Sequence, residues 1–206
     1  MKVLLVNGSP NKKGCTYTAL CEVEKELNKS NIETEVFHLG NQPIRGCTAC
    51  RKCSELKKCV FDDAVNVALD KANTTDGFIF GSPVHYAAAS GFITPFLNRC
   101  FYSGGYLFAY KPGAAVVSCR RGGATSAFDQ LNKYFSINNM PIVSSQYWNM
   151  VHGNTPEEVL QDLEGLQTMR TLGRNMAWLL KSIEAGQKAG VPSPEKEEKV
   201  KTNFIR

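Results

Sequence analysis

Short apolar runs alternate along the chain with longer stretches in which apolar residues return at every third or fourth position. The first run, Lys2 to Val6, closes on Asn7-Gly8-Ser9-Pro10, and beyond it Leu20, Val23 and Leu27 share one helical face. The pattern predicts a strand over 2–6, a loop, and a helix over 16–27. It continues with a strand over 33–39, a helix over 64–72, a glycine-bounded strand over 77–81, a loop over 82–91 and a helix over 92–102. A strand over 114–118, a helix over 126–135 and a strand over 142–145 follow. Thr155-Pro156-Glu157-Glu158 joins a capping threonine, a proline at the first helical position and a glutamate three residues past the cap. A long last helix is therefore expected from there to about Gln187, before Gly190, Pro192 and Pro194 end it.

Strands alternating with helices imply a three-layer α/β/α sandwich around a five-stranded parallel sheet, all within one domain over 1–190. Residues 191–206 form a charged tail. In such a sheet ligands bind beyond the carboxyl ends of the strands, where the strand order reverses. Three loops should gather there, at 7–15, 82–91 and 119–125.

The 206-residue length suits one hydrophobic core. No segment approaches the roughly 20 apolar residues of a membrane span, and the apolar start leads into a Gly-Ser-Pro turn without an export cleavage site. A cytoplasmic protein is expected. The net charge of +5 is scattered, without interleaved aromatics, which argues against nucleic acid and suits small anionic ligands. Eight cysteines in such a chain point to metal or redox chemistry before disulfides.

The first loop, Gly8 to Thr16, follows a strand and opens a helix, so free N–H groups and the helix dipole favour an anion there, with Ser9 and Thr16 adding hydroxyls. It matches neither the dinucleotide Gly-x-Gly-x-x-Gly pattern nor a Walker loop. An ordinary βα turn capped by Thr16 would show the same local sequence. Val-Asn-Gly-Ser-Pro followed by Asn-Lys-Lys-Gly-Cys-Thr resembles the Gly-Ser-Pro-Arg-x-x-Gly-Asn-Thr loop of the NADPH-dependent FMN reductases, which have a flavodoxin-like fold. The resemblance implies that Ser9, Asn11, Cys15 and Thr16 hold the FMN phosphate, with Asn11 in place of the usual arginine and Cys15 in place of the usual asparagine.

Gly81-Ser82-Pro83-Val84-His85-Tyr86 resembles the family's Gly-Ser-Pro-Val-Tyr-Tyr segment, and the match runs on through Gly91 to Arg99. A proline turn with an aromatic tip can lay backbone amides and a ring against a flavin, so Pro83, Val84, His85 and Tyr86 are expected contacts. Ser118-Cys119-Arg120-Arg121-Gly122-Gly123 resembles the third flavin loop. There Ser118, Gly122 and Gly123 permit close approach, and Arg120 or Arg121 would steady a reduced ring. Tyr147-Trp148-Asn149 resembles a late segment whose aromatics wall the pocket at a subunit boundary, which places Trp148 among the expected contacts. The same segment could instead contribute Trp148 to the core.

Cys47, Cys50, Cys53 and Cys59 crowd into one short stretch with C-x2-C-x2-C-x5-C spacing. Overlapping C-x2-C steps can wrap one [4Fe–4S] cube, whereas structural zinc favours two separated knuckles. Arg45, Arg51, Lys52, Lys57 and Lys58 would offset the charge of four thiolates. Free thiols in the 45–60 loop are the alternative. The spacing resembles the compact motif of the iron–sulfur flavoproteins, a branch of the same group. Cys21, Cys100 and Cys119 show no ligand spacing and read as packing residues, as does Cys15 apart from the resemblance.

The expected activity is that of an NAD(P)H-dependent, FMN-containing oxidoreductase passing electrons to free flavin, a quinone or another small acceptor. One alternative is an electron carrier with FMN and a [4Fe–4S] cluster, reduced by ferredoxin; another is a flavin-binding module that senses redox state. The resemblance also implies a homodimer or homotetramer.

Overall fold

The computed structural model describes residues 1–204, so Ile205 and Arg206 of the expected tail lie outside the described residues. Five strands form one parallel sheet: β1 (Lys2–Asn7), β2 (Glu33–His38), β3 (Gly77–His85), β5 (Gly113–Cys119) and β6 (Met150–His152), in the order β2-β1-β3-β5-β6. The chain steps from β1 outward to β2 and then back across β1 to β3, so the strand order reverses at β1. That reversal opens a crevice at the carboxyl ends of β1 and β3. The fold is flavodoxin-like α/β, as expected.

Side chains alternate across the sheet with period two and feed two cores. Leu4, Val6, Phe78, Phe80, Ala115 and Val117 face α3 (Ala64–Ala72), α4 (Ile93–Gly104) and α5 (Ala124–Ile137). Val3, Leu5, Ile79, Ala114, Val116 and Val151 face α1 (Cys15–Lys29) and α7 (Leu163–Lys188). Phe78, Phe80, Phe108 and Phe135 stack on the first side, with centroids 4.6 Å apart for Phe78 and Phe108 and 5.6 Å for Phe80 and Phe135. A short helix, α2 (Cys53–Leu56), interrupts the cysteine-rich stretch between β2 and α3.

Three expectations need correction. The third strand runs to His85 rather than Gly81, and Val84 and His85 pair antiparallel with a two-residue strand, β4 (Ala88–Ala89), so the second loop is a hairpin. The fifth strand is Met150–His152, not 142–145, where one isolated bridge joins Ile142 to Gly113. Polar groups of α7 draw the chain off the ladder there. Asn175 donates to the Ser144 carbonyl at 2.8 Å, and the Gln146 amide bonds Gln167 and Thr171.

The last helix is also split. Thr155 and Glu158 form their capping box, with Glu158 N donating to Thr155 Oγ1 and Asn154 N to Glu158 Oε2, but it opens only the single turn α6 (Pro156–Val159). The long helix starts afresh at Asp162, whose carboxylate accepts from Gly165 N at 2.9 Å and from His152 N at 2.7 Å. The second bond fixes that start to the end of β6. No helix among the described residues is long and apolar enough to cross a membrane.

Candidate functional site

The three expected loops meet at the carboxyl edge of the sheet and are bonded to one another. Gly8 N donates to the Gly81 carbonyl at 2.9 Å, and Ser90 Oγ donates to the Gly8 carbonyl at 2.7 Å, which joins the first loop to the second. Thr16 Oγ1 and Ser118 Oγ lie 2.8 Å apart and join the first to the third, while Ser126 Oγ donates to the Ala87 carbonyl at 2.9 Å and joins the third to the second. Glycine permits this closeness at Gly8, where a Cβ would stand 2.7 Å from Ile93 Cβ, and at Gly81, where it would stand 2.8 Å from Thr16 Cγ2.

Within the first loop Ser9 and Thr16 are buried, Cys15 is half-buried and Asn11 is exposed. Asn7, fully buried at the end of β1, accepts from Ser9 N at 3.1 Å and donates to the Lys12 carbonyl at 3.2 Å; Ser9 Oγ accepts from Asn11 N at 3.1 Å. His38 Nε2 lies 2.9 Å from the Ser9 carbonyl. The loop is thus held from both neighbouring strands. Asp63, Thr155 and Asp162 cap α3, α6 and α7 with their side chains, but no side chain caps α1 or α5, and neither has an acidic residue in its first turn. Two helix N-termini with open donors and positive dipole ends therefore face the crevice, an arrangement that fits a phosphate monoester.

Burial pushes the Cys15 and Cys119 thiols up from their usual range, so both stay protonated at neutral pH. Cys15 Sγ points at the Gly153 carbonyl, 3.7 Å away. In the second loop Pro83 and Val84 are half-buried and His85 is exposed; Tyr86, at the hairpin tip, is fully exposed and left-handed, with φ of 60°. A tyrosine held in that conformation with its ring in solvent is presented rather than packed. Ser118 is buried, Arg120, Arg121 and Gly122 are exposed, and Gly123, with φ of 87°, lies where a Cβ would meet Val84 Cγ1 at 2.9 Å. Trp148 is half-exposed with its ring 4.9 Å from that of Tyr147, so it is no core residue.

The cysteine-rich stretch forms a separate locus. Cys47, Cys50, Cys53 and Cys59 all line one narrow cleft, closed by Arg99, Phe61, Tyr102 and Ser103. Among the described residues no group of three or more His, Cys, Asp or Glu is placed to hold a metal ion. The four thiols nevertheless line one shared cleft, and four cysteine thiolates are the donor set that a [4Fe–4S] cube takes. Sulfur-directed donors are present as well: Ala49 N approaches Cys47 Sγ at 3.4 Å and Arg99 Nε approaches Cys59 Sγ at 3.2 Å. Ala49, Arg51 and Lys57 are left-handed, with φ of 54°, 59° and 56°. Such backbone costs on the order of 1 kcal/mol or more per residue, and here it falls between cysteines that line the same cleft.

Sequence reasoning missed the supports of this cleft. Arg99 is buried, and its pairing with Asp63 at 2.6 Å and its bond to Cys59 outweigh the burial that opposes its charge, so its pKa lies above the usual arginine value. Asn66, also buried, bonds both the N–H and the carbonyl of Cys59 at 3.0 Å. Arg99 closed the family-like stretch after Gly91, but nothing local marked its direction. A separate cleft of about 580 Å³ lies at the opposite, amino end of the strands, between Tyr106, Tyr110, Ile137 and the 195–200 tail.

Residues 1–155 match the family described as NADPH-dependent FMN reductase. An iron–sulfur flavoprotein of Methanocaldococcus jannaschii is 31% identical over 192 residues, spanning 89% of this chain and 100% of that protein. An iron–sulfur flavoprotein of Archaeoglobus fulgidus is 29% identical over 174 residues, 82% of this chain and 86% of that protein. Among solved structures, an NAD(P)H:quinone oxidoreductase from Methanothermobacter marburgensis superposes with a TM-score of 0.63 at 16% identity, covering 85% of this chain and 94% of that one. An archaeal flavodoxin superposes with a TM-score of 0.60 at 15% identity, covering 88% and 99%. At such identities these two structures speak to the fold alone. The chain is a flavin-dependent oxidoreductase by family, and it belongs to the NADPH-dependent FMN reductases, beside their iron–sulfur flavoprotein branch.

Proposed function

We propose that the protein is an electron-transfer flavoprotein that carries FMN at the three joined loops and one [4Fe–4S] cluster on Cys47, Cys50, Cys53 and Cys59. The observation that carries this reading is that all four motif cysteines line one cleft with hydrogen-bond donors aimed at two of their sulfurs. Bound FMN supplies the exchange between two-electron and one-electron transfer, and a cluster supplies one-electron transfer. The chain's own groups bind and orient. Ser9, Thr16, the N–H groups that open α1 and the backbone around Asn11 and Cys15 take the phosphate, with Asn7 and His38 fixing the loop behind them. The hairpin of Pro83, Val84, His85 and Tyr86 lies along the ring, Ser118, Gly122 and Gly123 let the third loop approach it, and Arg120 or Arg121 steadies negative charge on it.

A second reading, in which a reduced nicotinamide is the hydride donor, is favoured by Tyr86. Its ring stands free in solvent at the hairpin tip, available to stack beside an incoming planar ring. Trp148 is the other aromatic offered for that role. The two readings separate by donor. Protein reconstituted without oxygen with FMN, iron and sulfide is mixed rapidly with NADH, NADPH or reduced ferredoxin, and flavin bleaching is followed. Bleaching by ferredoxin alone, with about four irons per chain, supports the carrier. Bleaching by a nicotinamide in iron-free protein supports the reductase. Fewer than about two irons per chain, with all four thiols alkylated, removes the cluster.

A further inference from the structure

We infer that Arg99 is a positioning residue of the cysteine cleft: held by Asp63, its buried guanidinium donates to Cys59 Sγ, fixes that corner of the site and raises the reduction potential of a cluster bound there. The inference rests on the cluster reading above. Its physical basis is the complete use of one side chain. A guanidinium carries five N–H donors in a rigid fork, and here each finds an acceptor. Nε donates to Cys59 Sγ at 3.2 Å, Nη1 to Asp63 Oδ2 at 2.6 Å and to the Arg45 carbonyl at 3.2 Å, and Nη2 to Asp63 Oδ1 at 3.0 Å and to the Phe61 carbonyl at 3.2 Å.

The fork cannot turn without breaking several of these bonds at once, and at 2% exposure water cannot replace them. Cys59 is fixed on its other sides too, because Asn66 bonds its N–H and its carbonyl. The other thiols are held more loosely. Cys47 Sγ meets only a local N–H from Ala49, and Cys53 Sγ lies 3.9 Å from the Tyr102 carbonyl. The site therefore has one rigid corner, two cysteines on an irregular stretch and a third, Cys53, at the start of the short helix α2.

Reduction adds one electron to a cluster already made anionic by its thiolates. A fixed cation bonded to one of those sulfurs stabilises the added charge, and the low dielectric of a buried position strengthens the effect. Asp63 offsets part of it. Loss of either member of the pair should then move the potential in opposite directions, which general damage to the fold does not do.

Three single variants of the full FMN-loaded chain, R99Q, D63N and R99K, are compared with wild type. D63N keeps the start of α3, since asparagine caps as aspartate does. Reductive titration, read through the paramagnetic signal of the reduced cluster, is expected to give a lower potential for R99Q, a higher one for D63N and one between R99Q and wild type for R99K, which keeps the charge but loses the fork. In cluster-free protein, iodoacetamide is expected to reach Cys59 faster in R99Q than in wild type, with the rate at Cys47 unchanged. If R99Q does not fold, R99K takes its place beside D63N, because it keeps the charge and loses the bond to Cys59 Sγ. Potentials that stay put, or that move the same way in R99Q and D63N, overturn the role of Arg99 while leaving the cluster in place. A wild-type chain that takes up no iron and sulfide overturns the cluster reading and this inference together.

Discussion

Thr16 illustrates how much one side chain at the crevice carries. Its side chain is buried, its hydroxyl meets Ser118 Oγ at 2.8 Å, and its methyl group fills the space that the missing Cβ of Gly81 leaves. Hydrogen bonds to a charged partner are worth about 1.5–3 kcal/mol. T16A is therefore expected to weaken FMN binding by about tenfold or more, measured by the quenching of FMN fluorescence on titration with cofactor-free protein. Unchanged affinity would take the loop out of the site. At this scale the sequence was readable where the groups are local: the loop that opens α1 and its buried Ser9 and Thr16 stand where the strand-loop-helix pattern put them. It was unreadable where partners are distant. Arg99 lies 40 residues from Cys59, and Asn7 and His38 act on a loop whose own letters reveal nothing about what holds it. Only folding brings those groups together.

Among the elements, strong periodicity carried the reading and competing polar bonds limited it. The helix expected over 64–72 stands at Ala64–Ala72, because its apolar face and Asp63 cap agree. The strand expected over 142–145 fails because Asn175, Gln167 and Thr171 of α7 engage the chain there, and no local propensity records an offer from a helix still to come. The capping box at Thr155 was read correctly as a helix start and wrongly as the start of the long one. This division has a measurable consequence. D162A removes the cap of α7 and the acceptor of His152 N together, and is expected to lower stability by about 1 kcal/mol or more in urea unfolding. T155A opens only the single turn of α6 and is expected to cost less. The reverse order would mean that α6 and α7 behave as one helix in solution.

In the whole molecule, the two cores belong to the sheet and its five main helices, and the loops at the crevice are bonded into that body from three strands. The cysteine-rich stretch differs in kind. Cys47 and Cys50 are exposed and alternate with left-handed Ala49 and Arg51, Cys53 opens the short helix α2, and the firmest attachment is the corner where Cys59 meets Asn66 and Arg99. It forms a surface cassette, bonded to the body through Arg99, Asn66 and the Tyr102 carbonyl. Replacing Cys47, Cys50 and Cys53 together by serine is expected to abolish iron uptake while leaving FMN affinity and thermal midpoint near those of the parent; a large fall in either would show the cassette to be structural. On the proposed reading the cysteine cleft and the crevice occupy separate stretches of chain, so a one-electron centre can be removed without rebuilding the two-electron site, and the crevice keeps its shape either way.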